Sequence, residues 1–106
     1  MITTDLVLVL TTLPASDAER VGRVLVEERL AACVNLLPPM SSIYHWEGRV
    51  VLEGEQQLVA KTVRGRVEAL RERLAAVHPY ELPEFLVIDV AAGSDAYLAW
   101  VRESAS

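Results

Sequence analysis

Apolar and polar positions follow two different periods along this 106-residue chain, and the switches between them mark its elements. Leu6 to Leu10 is an unbroken Val/Leu run bounded by Thr11-Thr12 and Pro14, which suits a strand covered on both faces. Ser16 followed by Glu19 reads as a capping box that starts a helix, with Asp17 favourable in the first turn. Val21, Val24 and Leu25 form the buried stripe of that helix, and Glu19, Arg20, Arg23 and Glu27 its solvated face.

Cys33 to Leu37 begins an extended segment that pauses at Pro38-Pro39, a pair suited to an edge or a bulge, and resumes through Ile43, Tyr44 and Trp46. Gly48 suggests a further bulge. Glu53-Gly54 reads as the turn of a long hairpin that returns through Leu58 to Val63 and reaches beyond its own domain. Val67, Leu70, Leu74 and Val77 then recur at helical spacing, and Phe85 to Val90 is a last strand. Gly93 and Ser94 are the break and N-cap of a short C-terminal helix carrying Tyr97, Leu98, Trp100 and Val101. The predicted fold is α+β: a β-α-β-β-α-β, ferredoxin-like order with an added C-terminal helix, as one domain over residues 1–106.

Composition narrows the partners. Hydrophobic residues make up 52% of a chain with little core to spare, so some apolar surface is expected at a subunit interface. The net charge of -5, with basic residues scattered among acids, argues against nucleic acid. No apolar run approaches the ~18–20 residues that span a bilayer, so no membrane partner is expected. The lone Cys33 closes no intrachain disulfide, and the N-terminus lacks the layout of a signal peptide, so a cytoplasmic location is expected.

Most of the plausible chemistry falls in His78-Pro-Tyr-Glu-Leu-Pro-Glu84. Pro79 and Pro83 disfavour helical geometry at the residues before them, which holds an imidazole, a phenol and two carboxylates on a stiff, extended segment. Such a segment serves equally as a helix stop, with His78 capping the last carbonyls, or as a ligand site. His78 is the stronger metal candidate, because imidazole with nearby carboxylates suits first-row divalent ions. His45, between Tyr44 and Trp46, points to the face opposite those aromatics, and one face of the hairpin is expected to be wet. Lys61, in an apolar strand pattern, either pairs with a carboxylate or reaches solvent at the sheet edge. The apolar neighbours of Cys33 favour a buried, inert thiol. No glycine-rich phosphate loop, HExxH or close cysteine pair occurs, and no nucleophile and base stand together, so no enzyme is expected.

Arg29-Leu-Ala-Ala-Cys-Val-Asn35, Ser42-Ile-Tyr-His-Trp-Glu-Gly48 and His78-Pro-Tyr-Glu-Leu-Pro-Glu84, taken together, resemble the CutA divalent-cation tolerance proteins in order and spacing. The resemblance implies a compact homotrimer whose long hairpins cross into neighbouring subunits, as in PII-type signalling proteins. It also implies a role in tolerance to copper and other divalent ions. The family's copper ligands, a cysteine at the end of the first strand and two adjacent histidines, fall on Thr11, Val77 and His78, so one of three is retained. Lys61, Tyr80 and Glu84 match shared positions, and by resemblance cluster near an intersubunit cleft as ligand-binding residues. The resulting expectation is weak binding of divalent metal ions through His78 and nearby carboxylates. The alternative is a PII-like sensor of a small anionic ligand, with Lys61 as counter-charge and Tyr80 orienting it.

Overall fold

The computed structural model describes residues 4–106. Its strands and helices are β1 (Leu6–Leu13), α1 (Ala15–Glu27), β2 (Cys33–Leu36), β3 (Met40–Trp46), β4 (Arg49–Val63), α2 (Val67–Val77), β5 (Leu86–Asp89) and α3 (Asp95–Ser104), with a single 3-10 turn joining β4 to α2. The sheet is antiparallel in the order β2-β4-β1-β5, and β3 pairs with the first half of β4. The chain is therefore an α+β domain.

Strand alternation decides what each face meets. Val7, Val9, Thr11 and Leu13 of β1, with Leu58, Ala60 and Thr62 of β4, turn inward and are completely or almost completely buried. They pack under Ala18, Val21 and Leu25 of α1 and under Leu70 and Leu74 of α2. The helix stripes read from the sequence are the ones that pack, although Val24 is only half-buried. A Cβ on Gly22 would stand 3.1 Å from the Val34 side chain, so this helix passes β2 closely enough that an added methyl would push that side chain by a few tenths of an ångström. The inward hydroxyl of Thr62 donates to the carbonyl of Leu30 at 2.7 Å. On the opposite face, Leu98 and Val101 of α3, with Ala105 just past its end, pack against Leu6 and Ala32. Ser94 caps α3 as expected, accepting from the Tyr97 amide.

Three boundaries differ from the sequence reading. β1 continues to Leu13, and α1 begins at Ala15 directly behind Pro14, so Ser16 lies inside the first turn and makes no cap hydrogen bond. Pro14 takes the N-cap position, and its carbonyl accepts the Asp17 amide at 2.9 Å, so the first turn closes on backbone alone. Pro38-Pro39 splits the expected second strand into β2 and β3, both paired with β4. The hairpin turns at Glu47-Gly48, not at Glu53-Gly54. Glu47 (φ 49°) and Gly48 (φ 78°) are both left-handed, as in the two-residue turns that match strand twist. Gly54 instead pairs with Ser41 inside the ladder, where its missing side chain crowds nothing.

The β3–β4 hairpin extends beyond the helices and helps give the molecule its 45 Å length. Pairing places Tyr44, Trp46, Val51 and Glu53 on one face, and Ile43, His45, Val50 and Leu52 on the other. The expected wet face is absent, because His45 shares its side with Ile43, Val50 and Leu52, which are 66–73% exposed. Apolar side chains are therefore uncovered on both faces, although the Tyr44 face also carries Ser42, Arg49 and Glu53.

Candidate functional site

The connection from α2 to β5 is pinned from the inside. His78 leaves the helix with extended backbone (φ -75°, ψ 137°), as a residue before proline must. Its amide still donates to the Leu74 carbonyl at 2.8 Å, while its ring turns into the subunit and is 7% exposed. Nε2 lies 2.9 Å from the carbonyl of Thr12, and Nδ1 accepts the amide of Tyr80 at 3.1 Å. These two partners fix one neutral tautomer, with the proton on Nε2. Burial, the larger influence, holds the imidazole below its ordinary pKa; the Thr12 hydrogen bond and the carboxylates of Asp17 and Glu55 act the other way.

Tyr80 continues the network. Its ring is tilted against the imidazole with centroids 5.0 Å apart, and its hydroxyl donates to Glu55 at 2.7 Å. Burial first, then the Glu55 carboxylate, pushes the phenol well above its ordinary range, so it stays protonated. The Gln57 amide donates both to the Thr11 carbonyl at 2.8 Å and to Glu84 at 3.0 Å, which ties the end of the connection to the sheet. Arg20 reaches the last turn of α2 through the Val77 carbonyl at 3.3 Å. Glu55 and Gln57 were not singled out from the sequence. With the turn placed at Gly48, the alternation Glu53-x-Glu55-x-Gln57 puts all three on one face of β4, and that signal was available.

Between this connection and the hairpin lies an open groove of about 870 Å³. Its wall includes Tyr80, Glu81 and Glu84 on one side and Tyr44, Trp46 and Glu53 on the other, with Glu55 between them. No lysine or arginine lines it. Burial and the carboxylates of Glu53 and Glu55 raise the Tyr44 phenol as well.

The site residues proposed from sequence divide into two places. His78, Tyr80 and Glu84 come together. Lys61 sits six residues from Glu55 along β4, about 20 Å at strand rise. It is in the interior of the sheet and not at an edge, with its ammonium 3.5 Å from the Tyr97 hydroxyl and 5.7 Å from that ring's centre. The copper arrangement implied by resemblance does not fit this subunit. Thr11 is fully buried with an unpartnered hydroxyl, Val77 packs against the core, and both ring nitrogens of His78 are already engaged. Among the described residues, no three His, Cys, Asp or Glu side chains gather to hold a metal ion. Cys33 is half-buried on edge strand β2, more accessible than its neighbours suggested.

Comparison with known proteins agrees with this architecture along the whole domain. The profile of the CutA1 divalent ion tolerance proteins matches residues 7–104. The divalent-cation tolerance protein CutA of Thermus thermophilus is 45% identical over 97 residues, covering 91% of this chain and 94% of that protein. The crystal structure of CutA from Xylella fastidiosa superimposes with a TM-score of 0.94 at 42% identity, over 97% of this chain and 100% of that one. The PII-like protein CutA from Nostoc superimposes with a TM-score of 0.90 at 43% identity, over 94% of this chain and 97% of that one. On sequence and on fold, the chain belongs to the CutA1 divalent ion tolerance family.

Proposed function

We propose that this protein serves divalent-cation tolerance as a cytoplasmic homotrimer without catalytic activity, and that it meets its cations weakly in the groove, through Glu53 and Glu84. The observation that carries this reading is the lining: four glutamates and no cationic side chain. Such a wall concentrates cations and repels anions. Carboxylate oxygens suit divalent ions, and without three converging ligands the binding is weak and poorly selective. The uncovered apolar side chains of the hairpin, Ile43, Val50 and Leu52 on one face and Tyr44 and Trp46 on the other, support the trimer, since an isolated strand pair is marginal until partners cover it.

Calorimetric titration of the assembled protein with Cu²⁺ and Zn²⁺ at neutral pH tests this reading. Glu53→Gln combined with Glu84→Gln is expected to weaken binding about tenfold or more, which is about 1.4 kcal/mol. Glu103→Gln, on α3 and outside the groove lining, is expected to leave it unchanged. Undiminished binding in the double variant, or an equal loss in Glu103→Gln, would reject the groove as the cation site.

A second reading rests on Lys61. The residue is half-buried, and its ammonium faces the phenol and ring of Tyr97 and has no carboxylate partner among the described residues. A small anion would complete it. Phosphate or nucleotide binding that is lost in Lys61→Met would favour that reading.

A further inference from the structure

His78 joins the start of the groove wall to β1, as Tyr80 and Glu84 join the rest of it to β4, and both of its ring nitrogens are in use. Those two bonds require opposite things of the ring. Nε2 must carry a proton to bond the Thr12 carbonyl, and Nδ1 must lack one to accept the Tyr80 amide. A second proton can enter only at Nδ1. It would set N–H against N–H across 3.1 Å, turning a hydrogen bond into a repulsion. The amide of Tyr80 then has to move, and it carries the hydroxyl that caps Glu55.

We propose that His78 is a proton-operated latch on the Pro79–Glu84 wall of the groove: neutral, it holds the wall closed against β1, and protonated, it releases Tyr80 from the ring and from Glu55. The segment bends through residues 79–82 instead of running extended as its prolines suggested, and Glu84 stays tied to Gln57 at 3.0 Å, so release is confined to the stretch between the end of α2 and Glu84. Every element around the ring bears on its titration. β1 offers only the Thr12 carbonyl. α1 presents Asp17, which is paired with Arg20, and the Arg20 guanidinium reaches the neighbouring Val77 carbonyl. β4 presents Glu55. The carboxylates invite the proton and the burial resists it; burial is stronger, so release occurs below the ordinary imidazole range of ~6.5.

The latch stands whatever the groove holds. Its test contains no cation, so its failure and the failure of the cation reading are separate results. In ¹⁵N-labelled, assembled protein, the His78 Cε1–H shift reports ring protonation, and exchange of the Tyr80 amide, corrected for its intrinsic rate, reports release. The expected result is a single midpoint below ~6.5 for both, with protection of the Tyr80 amide falling about tenfold or more while core amides of β1 and β4 stay protected. His78→Asn places an amide oxygen where Nδ1 stands, an acceptor that takes no proton in this range, and should abolish the fall. Ring protonation with Tyr80 still protected, release while the ring is neutral, global unfolding before the ring titrates, or an unchanged fall in the asparagine variant would each overturn the latch. Should that variant fail to fold, the match of the two wild-type midpoints decides alone.

Discussion

β4 is one uninterrupted strand of 15 residues, and its two halves live in different surroundings. From Gln56 to Val63 it pairs with β1, and from Leu58 to Lys61 with β2 as well, with helices over one face, and Leu58, Ala60 and Thr62 are fully buried. From Arg49 to Gly54 it pairs only with β3, and Val50 and Leu52 are each 66% exposed. Backbone hydrogen bonding is equally regular in both. The difference lies in what covers the side chains, and it teaches that a ladder positions residues while burial supplies most of the stability.

The largest effect should come from truncating the covered half. Leu58→Ala removes a fully buried side chain between α1 and the sheet, and should cost about 2–5 kcal/mol in urea unfolding. A cost below about 1 kcal/mol would mean that the two halves are not as unlike as their exposures.

The exposed half should respond in assembly. Trp46 lies on the hairpin and Trp100 on α3, and both are 45% exposed in the subunit, so burial within one chain does not separate them. If partners cover the hairpin, Trp46→Ala shifts the trimer toward smaller species in sedimentation equilibrium, while Trp100→Ala leaves it assembled. Equal loss in both variants would contradict this contrast.

Acidity should separate the halves next. The folded protein holds His78 below its ordinary pKa, so the unfolded chain binds more protons at mildly acidic pH. This contribution to stability is complete above ~6.5 and is lost as pH falls through the lower, folded value. The urea midpoint should therefore be flat above ~6.5 and decline below it, and His78→Asn should remove that decline. Glu68, held low chiefly by its hydrogen bond to Arg71, adds its own loss only below the ordinary glutamate range. Tyr80 and Tyr44 are raised acids, so their contribution is lost only as pH rises above ~10. A decline of equal size in the asparagine variant would move the acid sensitivity elsewhere.

The smallest effect belongs to the turn. Gly48→Ala places a Cβ on left-handed backbone in open space, so the cost is conformational only, about 1 kcal/mol. Hydrogen exchange should show the fraying confined to β3 and the first half of β4.

Much of the fold was legible because its signals are local. An apolar Val/Leu run, helical spacing in α1 and α2, a serine cap before α3 and prolines around the last connection each act through neighbouring residues. The hairpin was misread at one point, where Glu53-Gly54 and Glu47-Gly48 both carry turn chemistry. Only the register of β3 on β4 chose between them, and that choice exposed Glu53, Glu55 and Gln57 as one face of the groove. The motif around His78 announced chemistry without stating which kind.

By itself, then, the sequence determined the elements, their order and the family, because periodicity, caps and motif spacing are properties of adjacent residues. Tertiary structure decided that the His78 ring faces inward to a carbonyl and an amide, that Lys61 stands apart from Tyr80 and Glu84 within the subunit, and that a carboxylate on β4 meets Tyr80. The bond to the Tyr80 amide is local, but the contacts of His78 with Thr12 and of Tyr80 with Glu55 join residues 66 and 25 positions apart, and no local propensity reaches that far; they follow only once burial of the sheet's two faces has fixed register and direction.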